Sequence, residues 1–488
     1  MLLTVVMKEL RSILLSPKFI GSFLVSSLLI LLSVYLGVND YRRAQRSFEE
    51  SVNLTEVEMQ QKTSWGNMST RISRIPDPLQ VFVSGVNNDV GRRSMISTYE
   101  PVKLFGSFYS EETLYALFRY FDLSFIIQVI LSLFAILFTY DSINGEKEMG
   151  TLQLTFSNPL PRAQFILGKF LGACLGLLIP LAVPMLLGIL IVLAMRVPFA
   201  PSDWVRFGGF MMMSLLYISF FVSLGIFASI LTKRSNISFL ISLVAWVMLV
   251  FIVPRMASMA AAQVVRVPSE AELDSQRDTY AKDRWDLHGQ DIERMFKQRD
   301  AVTRGMTAAD REQYQQSHEW EWMQQDDSLR KLVTKNIDEY GIRLNEDFRN
   351  RKAGQEKLTY LLSGISPASV FQIAAIKLAQ TDVALKARYE DAMNIFRTAF
   401  NEYTQKKQDA AGGVSGLRIT FDSNSGFKIS TPRENPKLDL SDAPKFLPPL
   451  QRLGDIFGPV IIHMGLLAFF TLLIFGVTFV RFLRYDLT

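Results

Sequence analysis

The sequence offers few side chains that could catalyse a reaction. Among its 488 residues there is one cysteine, Cys174, and there are three histidines, His288, His318 and His463. One cysteine cannot form an intrachain disulfide, and the histidines occur in none of the spacings that hold a metal ion. The sequence has no GxxxxGK[ST] loop, so it lacks the usual phosphate-binding loop for a nucleotide. We therefore expect neither catalysis by this chain alone nor a metal site.

The most distinctive spacing of polar residues occurs in one short segment, 141–164, between two apolar runs. Its carboxylate and ammonium groups cannot lie in lipid, so the segment must face water. Its two glycines permit a sharp reversal of the chain, and its threonine can cap a new helix. These features predict a short charged helix joined to two apolar runs, with an ordinary polar loop as the alternative. The candidate functional residues are Asp141, Gly145, Glu146, Lys147, Glu148, Gly150, Thr151, Leu152, Pro159 and Arg162.

The elements that position this segment are predicted to be membrane-spanning helices. The chain is 49% hydrophobic and 20% charged, and the two kinds of residue are segregated along it. A helix needs about 20 apolar residues to cross the hydrocarbon core of a bilayer. Residues 1–18 instead alternate apolar and charged residues at helical spacing, which predicts a helix in the membrane interface. The six predicted spans are 19–38, 122–140, 165–195, 205–231, 237–253 and 456–480.

Basic residues beside the spans predict which side faces the cytoplasm. With six spans, the four short segments that carry basic residues beside the spans all fall on one side, and we assign that side to the cytoplasm. The two long outer segments carry many charges of both signs, but long loops cross the membrane regardless of charge, so they do not contradict this assignment. Both termini, including the tail 481–488, are then expected to be cytoplasmic. This bias accounts for the net charge of +5, and the absence of a long basic run argues against nucleic-acid binding. The basic residues are Lys8, Arg11, Lys18, Lys147, Arg162, Lys169, Lys233, Arg234, Arg481 and Arg484.

Two long segments are predicted on the extracytoplasmic side. Residues 39–121 begin with a charged helical stretch and continue with prolines, glycines and a β-like run at 79–83. Residues 254–455 are predicted to form a large, mainly α-helical domain. Amphipathic stripes along 329–348 and 385–403 need a partner surface from this chain or from a second copy. Alternation at 417–429 predicts a small β element.

The segment 141–169 resembles the connector of ABC type-2 permeases. In that family an acidic residue ends the second span, and a Gly-Glu-x-Glu-x-Gly-Thr-Leu stretch, here at 145–152, forms a short helix. A Pro-x-(Ser/Pro)-Arg turn, here at 159–162, then leads to a Gly-Lys pair that opens the third span. The family's interfacial first helix matches the start of this chain, and Ser229–Ser235 is similar to its short inner loop. The large outer segments resemble a subgroup linked to gliding motility or copper-enzyme maturation.

The resemblance implies an all-α polytopic fold of the ABC type-2 exporter kind, and it implies partners. A separate ATPase subunit, in two copies, would bind ATP and Mg²⁺ and would hold the connector helix in a groove. A second permease, identical or related, would complete the membrane part, with a substrate path between spans two and five. This chain itself would carry no cofactor. The expected location is the inner membrane of a bacterium, and residues 254–455 could contact a periplasmic partner.

The sequence leaves more than one function open. The first is a permease subunit that couples ATP hydrolysis in the separate ATPase to export of a substrate. The second is an ATP-driven membrane scaffold or mechanotransmitter, which acts on extracytoplasmic proteins without moving a substrate. The size of 254–455 favours the second more than a small-drug pump would. A membrane-embedded enzyme or sensor is the third and least favoured, because the catalytic side chains for it are missing.

Overall fold

The structure is a computed structural model in which helices dominate, as the sequence predicts. Among the residues that it describes, six helices are long and apolar enough to cross a membrane, and we number them as spans one to six. They cover Pro17–Gln60, Leu123–Glu148, Arg162–Ala194, Pro201–Leu231, Ser235–Val264 and Leu453–Leu483. The residues that the structure describes are 1–65, 68–97, 102–108, 121–157, 159–410, 418–422, 426–430 and 438–485.

The chain begins with two separate helices, α1 (Leu2–Leu14) and α2 (Pro17–Gln60). The Ser16 hydroxyl accepts a hydrogen bond from the backbone N–H of Phe19, and Pro17 occupies the first helical position. Both features favour a new helix at this point. Helix α2 contains span one and continues to Gln60. The charged stretch after residue 38 is therefore helical, as expected.

Spans two and five each contain a π-helical turn. The apolar part of span two (α3) consists of Leu123–Phe125, a π turn at Ile126–Leu131 and Ser132–Thr139. Span five (α8, Ser235–Val264) has its π turn at Met248–Ile252. Such π turns disturb the regular hydrogen bonding of a helix and are frequent at functional sites. The other helices are α4 (Asn144–Glu148), α5 (Thr151–Phe156), α6 (Arg162–Ala194), α7 (Pro201–Leu231), α9 (Glu270–Thr303), α10 (Ala308–Ser363), α11 (Pro367–Leu378), α12 (Leu385–Ala410) and α13 (Leu453–Leu483).

The chain divides into two compact units, and the division differs from the expected single domain at 254–455. One unit contains Val253–Ile365, and the other contains Met1–Ile252 and Ser366–Thr488. Residues 366–455 thus group with the spans. The physical reason is α11, which is apolar and almost wholly buried against spans four and six and the π turn of span five. Burial of this apolar surface favours packing on the membrane helices over packing with the polar helices α9 and α10.

The unit Val253–Ile365 is a long helical hairpin. Helices α9 and α10 contain 34 and 56 residues and pack along each other. The rings of Tyr280 and Tyr340 stack with their centroids 4.0 Å apart. The Arg299 guanidinium lies over the ring of Trp322, 4.7 Å from its centroid. The amphipathic stripe predicted at 329–348 is half-buried, so the hairpin covers it only in part.

On the side of spans one and two opposite to the connector, two distant segments share one hydrophobic core. Strands β1 (Thr70–Ser73) and β2 (Arg93–Ile96) pair antiparallel, with Thr70 opposite Ile96. The apolar face of α12 covers this small sheet. We call this group, formed by 68–97, 102–108 and Leu385–Ala410, the distal domain. Its central buried residues include Ile72, Ile96, Tyr389, Met393 and Phe400.

Two local predictions in these segments have different outcomes. The run at 79–83 is not a strand, because Pro78–Val81 forms a 3₁₀ helix. The Asp77 carboxylate accepts a hydrogen bond from the Leu79 N–H and so caps this helix at its start. The β element predicted at 417–429 is present as strands β3 (Arg418–Asp422) and β4 (Gly426–Ser430), which pair antiparallel. The expected turn between them includes residues outside the described part of the chain.

Candidate functional site

The predicted connector consists of two short helices, α4 and α5. Between them Gly150 has a φ of 72°, in the left-handed region that favours glycine, and the chain reverses there. The expectation that Thr151 caps α5 is wrong, because Gly150 occupies the cap position. The Thr151 hydroxyl instead donates to the backbone carbonyl of Glu146, 3.2 Å away. This hydrogen bond ties the two helices together.

The centre of the site is a cluster of buried ionic groups. The Lys169 ammonium lies 2.9 Å from the Glu9 carboxylate and 2.9 Å from the Glu146 carboxylate. Lys8 is 3.1 Å from the same oxygen of Glu146. The side chain of Lys169 is 3% exposed, and a charge at such depth is tolerated only when it is paired. These ion pairs join α1, the connector and the start of span three.

Helix α1 lies in a groove of span three that is made by glycines. A Cβ atom at Gly168 would come within 2.6 Å of a Val5 methyl group, and one at Gly172 within 2.6 Å of the Glu9 Cβ. Gly176 faces Ile13 in the same way. Small residues at every fourth position let two helices approach closely, as in membrane helix pairs. This close approach brings Glu9 to Lys169.

The connector is also bound to the end of span four and the start of span five. The Ser229 hydroxyl accepts hydrogen bonds from the backbone N–H groups of Ile143, at 2.9 Å, and Asn144, at 3.1 Å. The Glu148 carboxylate accepts from both the backbone N–H and the hydroxyl of Ser235, at 2.9 Å each. Glu148 therefore anchors the start of span five rather than projecting freely.

The two ends of the connector have partners of their own. Asp141 forms an ion pair with Lys18 at 2.8 Å, which links the end of span two to the start of span one. The Arg162 guanidinium donates to the backbone carbonyls of Leu483 and Tyr485, at 2.8 and 3.0 Å. It thereby binds the end of span six. Arg162, which the sequence marks only as part of a turn, joins two spans.

The remaining predicted residues divide between the interior and the surface. Leu152 is fully buried, and the Lys147 ammonium lies over the ring of Tyr485, 5.3 Å from its centroid. Gly145 sits close to Asp141, where a Cβ atom would be 3.3 Å from the aspartate Cβ. Pro159 is exposed at the surface. The structure therefore brings the predicted set together, but most of its polar side chains bind inward.

The sequence patterns did not single out two exposed side chains of the connector. Met149 is 71% exposed and Leu154 is 69% exposed, and both lie on the connector helices or at the turn between them. Both are apolar, like the residues of the neighbouring spans, so residue type alone does not show that they are exposed on the connector. Glu9 was also missed, although a carboxylate between Val5 and Ile13 on the apolar face of α1 is a usable signal. A charge at such a position needs a buried partner.

Comparison with known proteins places these features in a family. The chain matches the family model "ABC-2 family transporter protein" over residues 3–487. It is similar to a protein of Pseudomonas aeruginosa named "Probable ABC transporter permease protein NosY", with 51% identity over 53 residues, 11% of this chain and 18% of that protein. A protein of the same name from Stutzerimonas stutzeri is 50% identical over 54 residues, 11% of this chain and 19% of that protein. The chain thus aligns with about a fifth of the length of these relatives.

The family match covers nearly all of the chain, and the six apolar helices agree with it. Members of this family form the membrane part of ABC transport complexes, in which an ABC ATPase is the general partner. The chain is therefore a multi-pass membrane permease that belongs to the ABC-2 transporter family.

Proposed function

We propose that this chain is the permease subunit of an ABC exporter, driven by ATP hydrolysis in a separate ATPase subunit. The ATPase would bind ATP and Mg²⁺ and would contact the connector helices α4 and α5. Two ATPase copies and a second permease, identical or related, would complete the complex. The family match and the compact, multiply bonded connector support this proposal.

The observation that carries the proposal is the exposure of two apolar side chains on an otherwise inward-bonded connector. Met149 and Leu154 are about 70% exposed, whereas Glu146, Lys169 and Glu148 have partners within the chain. Covering a large apolar side chain is worth about 1.5–3 kcal/mol relative to leaving it in water. We therefore assign Met149 and Leu154 to the ATPase-docking surface, with Glu146 and Glu148 as residues that fix its position.

The bonding of the connector also provides a route for movement. A displacement of α4 and α5 would act on span three through Lys169, on span five through Ser235 and on span one through Asp141. Packed helices move as rigid bodies, because close-packed interiors do not deform continuously. Movement of the ATPase would thus pass to several spans together.

This proposal is tested by placing a charge on the docking surface. We expect Met149→Glu and Leu154→Glu each to reduce co-purification of the ATPase from native membranes at least tenfold, because a carboxylate in an apolar contact is strongly unfavourable. Leu450→Glu is the matched control, since Leu450 is at least as exposed and lies on the opposite side of the spans. The amount of ATPase is measured by quantitative mass spectrometry after mild-detergent purification. Full retention of the ATPase by both connector variants would contradict the proposed docking surface.

We further propose that the protein resides in the inner membrane of a bacterium, with the connector and both termini in the cytoplasm. The lysines and arginines of the short segments beside the spans lie on the connector side and support this orientation. Single cysteines at Met149 and Leu450 in a Cys174→Ser background would test it in intact spheroplasts. A membrane-impermeant maleimide should label only the cysteine at Leu450. Labelling of the cysteine at Met149 alone would reverse the orientation.

The alternative function is that of a mechanotransmitter that acts on extracytoplasmic proteins. The distal domain and the hairpin Val253–Ile365 favour it, because both are far larger than a link between spans requires. ATP-dependent uptake of cell-extract metabolites into inverted vesicles would separate the two functions. Accumulation of a compound would support the exporter. Active hydrolysis without accumulation, together with a protein cross-linked to 254–455, would support the mechanotransmitter.

A further inference from the structure

A buried apolar helix lies between the spans and the distal domain. Helix α11 packs against spans four and six and against the π turn of span five, and only Gln372 and Lys377 among its residues are partly exposed. It is too short, at 12 residues, to cross a bilayer. Its two ends contact different parts of the molecule.

The first end of α11 is bound to the π turns of two spans. The Ser366 hydroxyl donates to the backbone carbonyl of Leu249, which lies in the π turn of span five. The Phe371 ring stacks on Tyr217 of span four, with centroids 4.8 Å apart. The Tyr217 hydroxyl donates to the backbone carbonyl of Gln128, 2.8 Å away, in the π turn of span two. Both accepting carbonyls thus lie in π turns, one in span five and one in span two.

Spans two and five are also joined directly at the same region. The Trp246 indole N–H donates to the Ser132 hydroxyl over 2.8 Å, and Ser132 in turn donates to the Gln128 carbonyl. The donor side chains Ser132, Tyr217, Trp246 and Ser366 are buried, and the residues that carry the accepting carbonyls, Gln128 and Leu249, are half-buried. Their hydrogen bonds are therefore costly to break, because a buried donor that loses its partner stays unsatisfied. A shift of one π turn must be followed by the other and by α11.

The second end of α11 is bound to the distal domain. Arg206 donates to the Asp77 carboxylate at 3.0 Å and to the Leu378 carbonyl at 3.3 Å, so it joins span four, the 3₁₀ helix and the last residue of α11. After α11, the Thr381 carbonyl accepts from the Val86 N–H over 2.9 Å.

This contact requires a glycine in the facing loop of the distal domain. Gly85 has a φ of 47°, and a Cβ atom there would lie 2.3 Å from the Thr381 carbonyl oxygen. Only glycine fits both the backbone angle and the space. The Thr381 hydroxyl also donates to the Val83 carbonyl over 3.2 Å. Thr381, which follows α11, is thus held to the distal domain by two hydrogen bonds and by a close contact with Gly85.

We propose that α11 is a transmission helix that carries rearrangement of spans two and five to the distal domain. The proposal rests on the ATP coupling proposed above, because the ATPase supplies the movement at the connector. Its positioning residues are Ser366 and Tyr217 at the membrane end and Thr381 at the distal end. The distal domain would then change its state with each nucleotide cycle.

Hydrogen exchange of the whole complex in nanodiscs tests this proposal. Exchange is compared between ADP and ATP with vanadate for peptides from three regions: the connector 141–157, the 68–97 segment and Leu385–Ala410. In the native protein all three should differ between the two nucleotide states. In a Ser366→Ala, Tyr217→Phe double variant the difference in the distal domain should fall to less than half, and the connector should respond as before.

The matched control is Ser223→Ala, because Ser223 is buried in span four but donates only to a carbonyl of its own helix. Thermal unfolding checks that each variant is folded. If the double variant does not fold, the single variant Tyr217→Phe is used in its place. An unchanged distal response in the folded variant would overturn the proposal, as would a native distal domain that ignores nucleotide while the connector responds. A connector that does not respond in the native complex would instead refute the proposed ATP coupling.

Discussion

At the scale of single residues, Lys169 determines the geometry of the candidate site. Its ammonium group is buried and is neutralised by two carboxylates from different elements, Glu9 and Glu146. Removing Lys169 takes the buried counter-charge from Glu9 and leaves Glu146 with only the half-exposed Lys8, which costs far more than the pair itself contributes. Glu146 thus has a structural task that its place in a charged loop does not reveal.

We predict that Lys169→Met lowers the stability of the folded protein by about 3–5 kcal/mol, because Glu9 and Glu146 lose their buried counter-ion. Lys8→Met is the matched control, since Lys8 also pairs with Glu146 but is 52% exposed. That change should cost at most about 1 kcal/mol. Thermal unfolding of the detergent-purified protein measures both. Equal effects of the two variants would show that burial of Lys169 has no special weight.

At the scale of elements, the packing of α1 on span three depends on shape as well as on charge. The glycines at 168, 172 and 176 form a groove whose floor is backbone, and α1 lies in it. The connector depends on this packing, because Glu9 reaches Lys169 only when α1 is in the groove. The amphipathic pattern of α1 predicts a helix at the membrane interface. It does not predict that this helix packs on span three.

Filling the groove with a side chain tests this arrangement. We predict that Gly172→Val displaces α1, since even a Cβ atom would overlap the Glu9 side chain, and that it lowers stability by about 1–3 kcal/mol. Gly465→Val is the control, because Gly465 lies in span six with open space around it. Unfolding temperature is one measurement, and protease cleavage within residues 2–14 is the other. A Gly172→Val protein with native stability and an uncleaved α1 would rule out the groove.

At the scale of the whole molecule, the distal domain is made from parts of the chain nearly three hundred residues apart. Ile96 of β2 and Met393 of α12 are both fully buried in one cluster. Neither segment contains enough apolar residues for a core of its own. The sequence predicted that the amphipathic stripe along 385–403 packs on a surface of this chain or of a second copy. In the structure it packs on the small sheet of the same chain.

We predict that Ile96→Ala and Met393→Ala each destabilise the distal domain by about 2–5 kcal/mol through the cavity they leave. Each change should also speed hydrogen exchange in the other segment, because the two segments form one cooperative unit. Ile395→Ala, on the same helix but 74% exposed, should change stability by less than about 0.5 kcal/mol. Exchange that accelerates only in the mutated segment would show two independent units.

The sequence by itself determined the membrane helices and the identity of the connector. Lipid cannot hydrogen-bond a polar backbone, so a span must be a helix with a long apolar run, which is a local property of the chain. The break at Ser16–Pro17 and the β element near 417–429 are also local, because they depend on caps and alternation. The spacing of charges and glycines at 141–152 was enough to indicate the family.

Only the tertiary structure decided which way these residues face and what they join. Whether Glu146 meets an ATPase or Lys169 depends on where α1 and span three pack, which no local pattern encodes. The same holds for α11, whose apolar composition fits a short core helix but does not show that it binds two π turns and the distal domain. Contacts between distant segments arise from packing, and packing is a property of the whole chain.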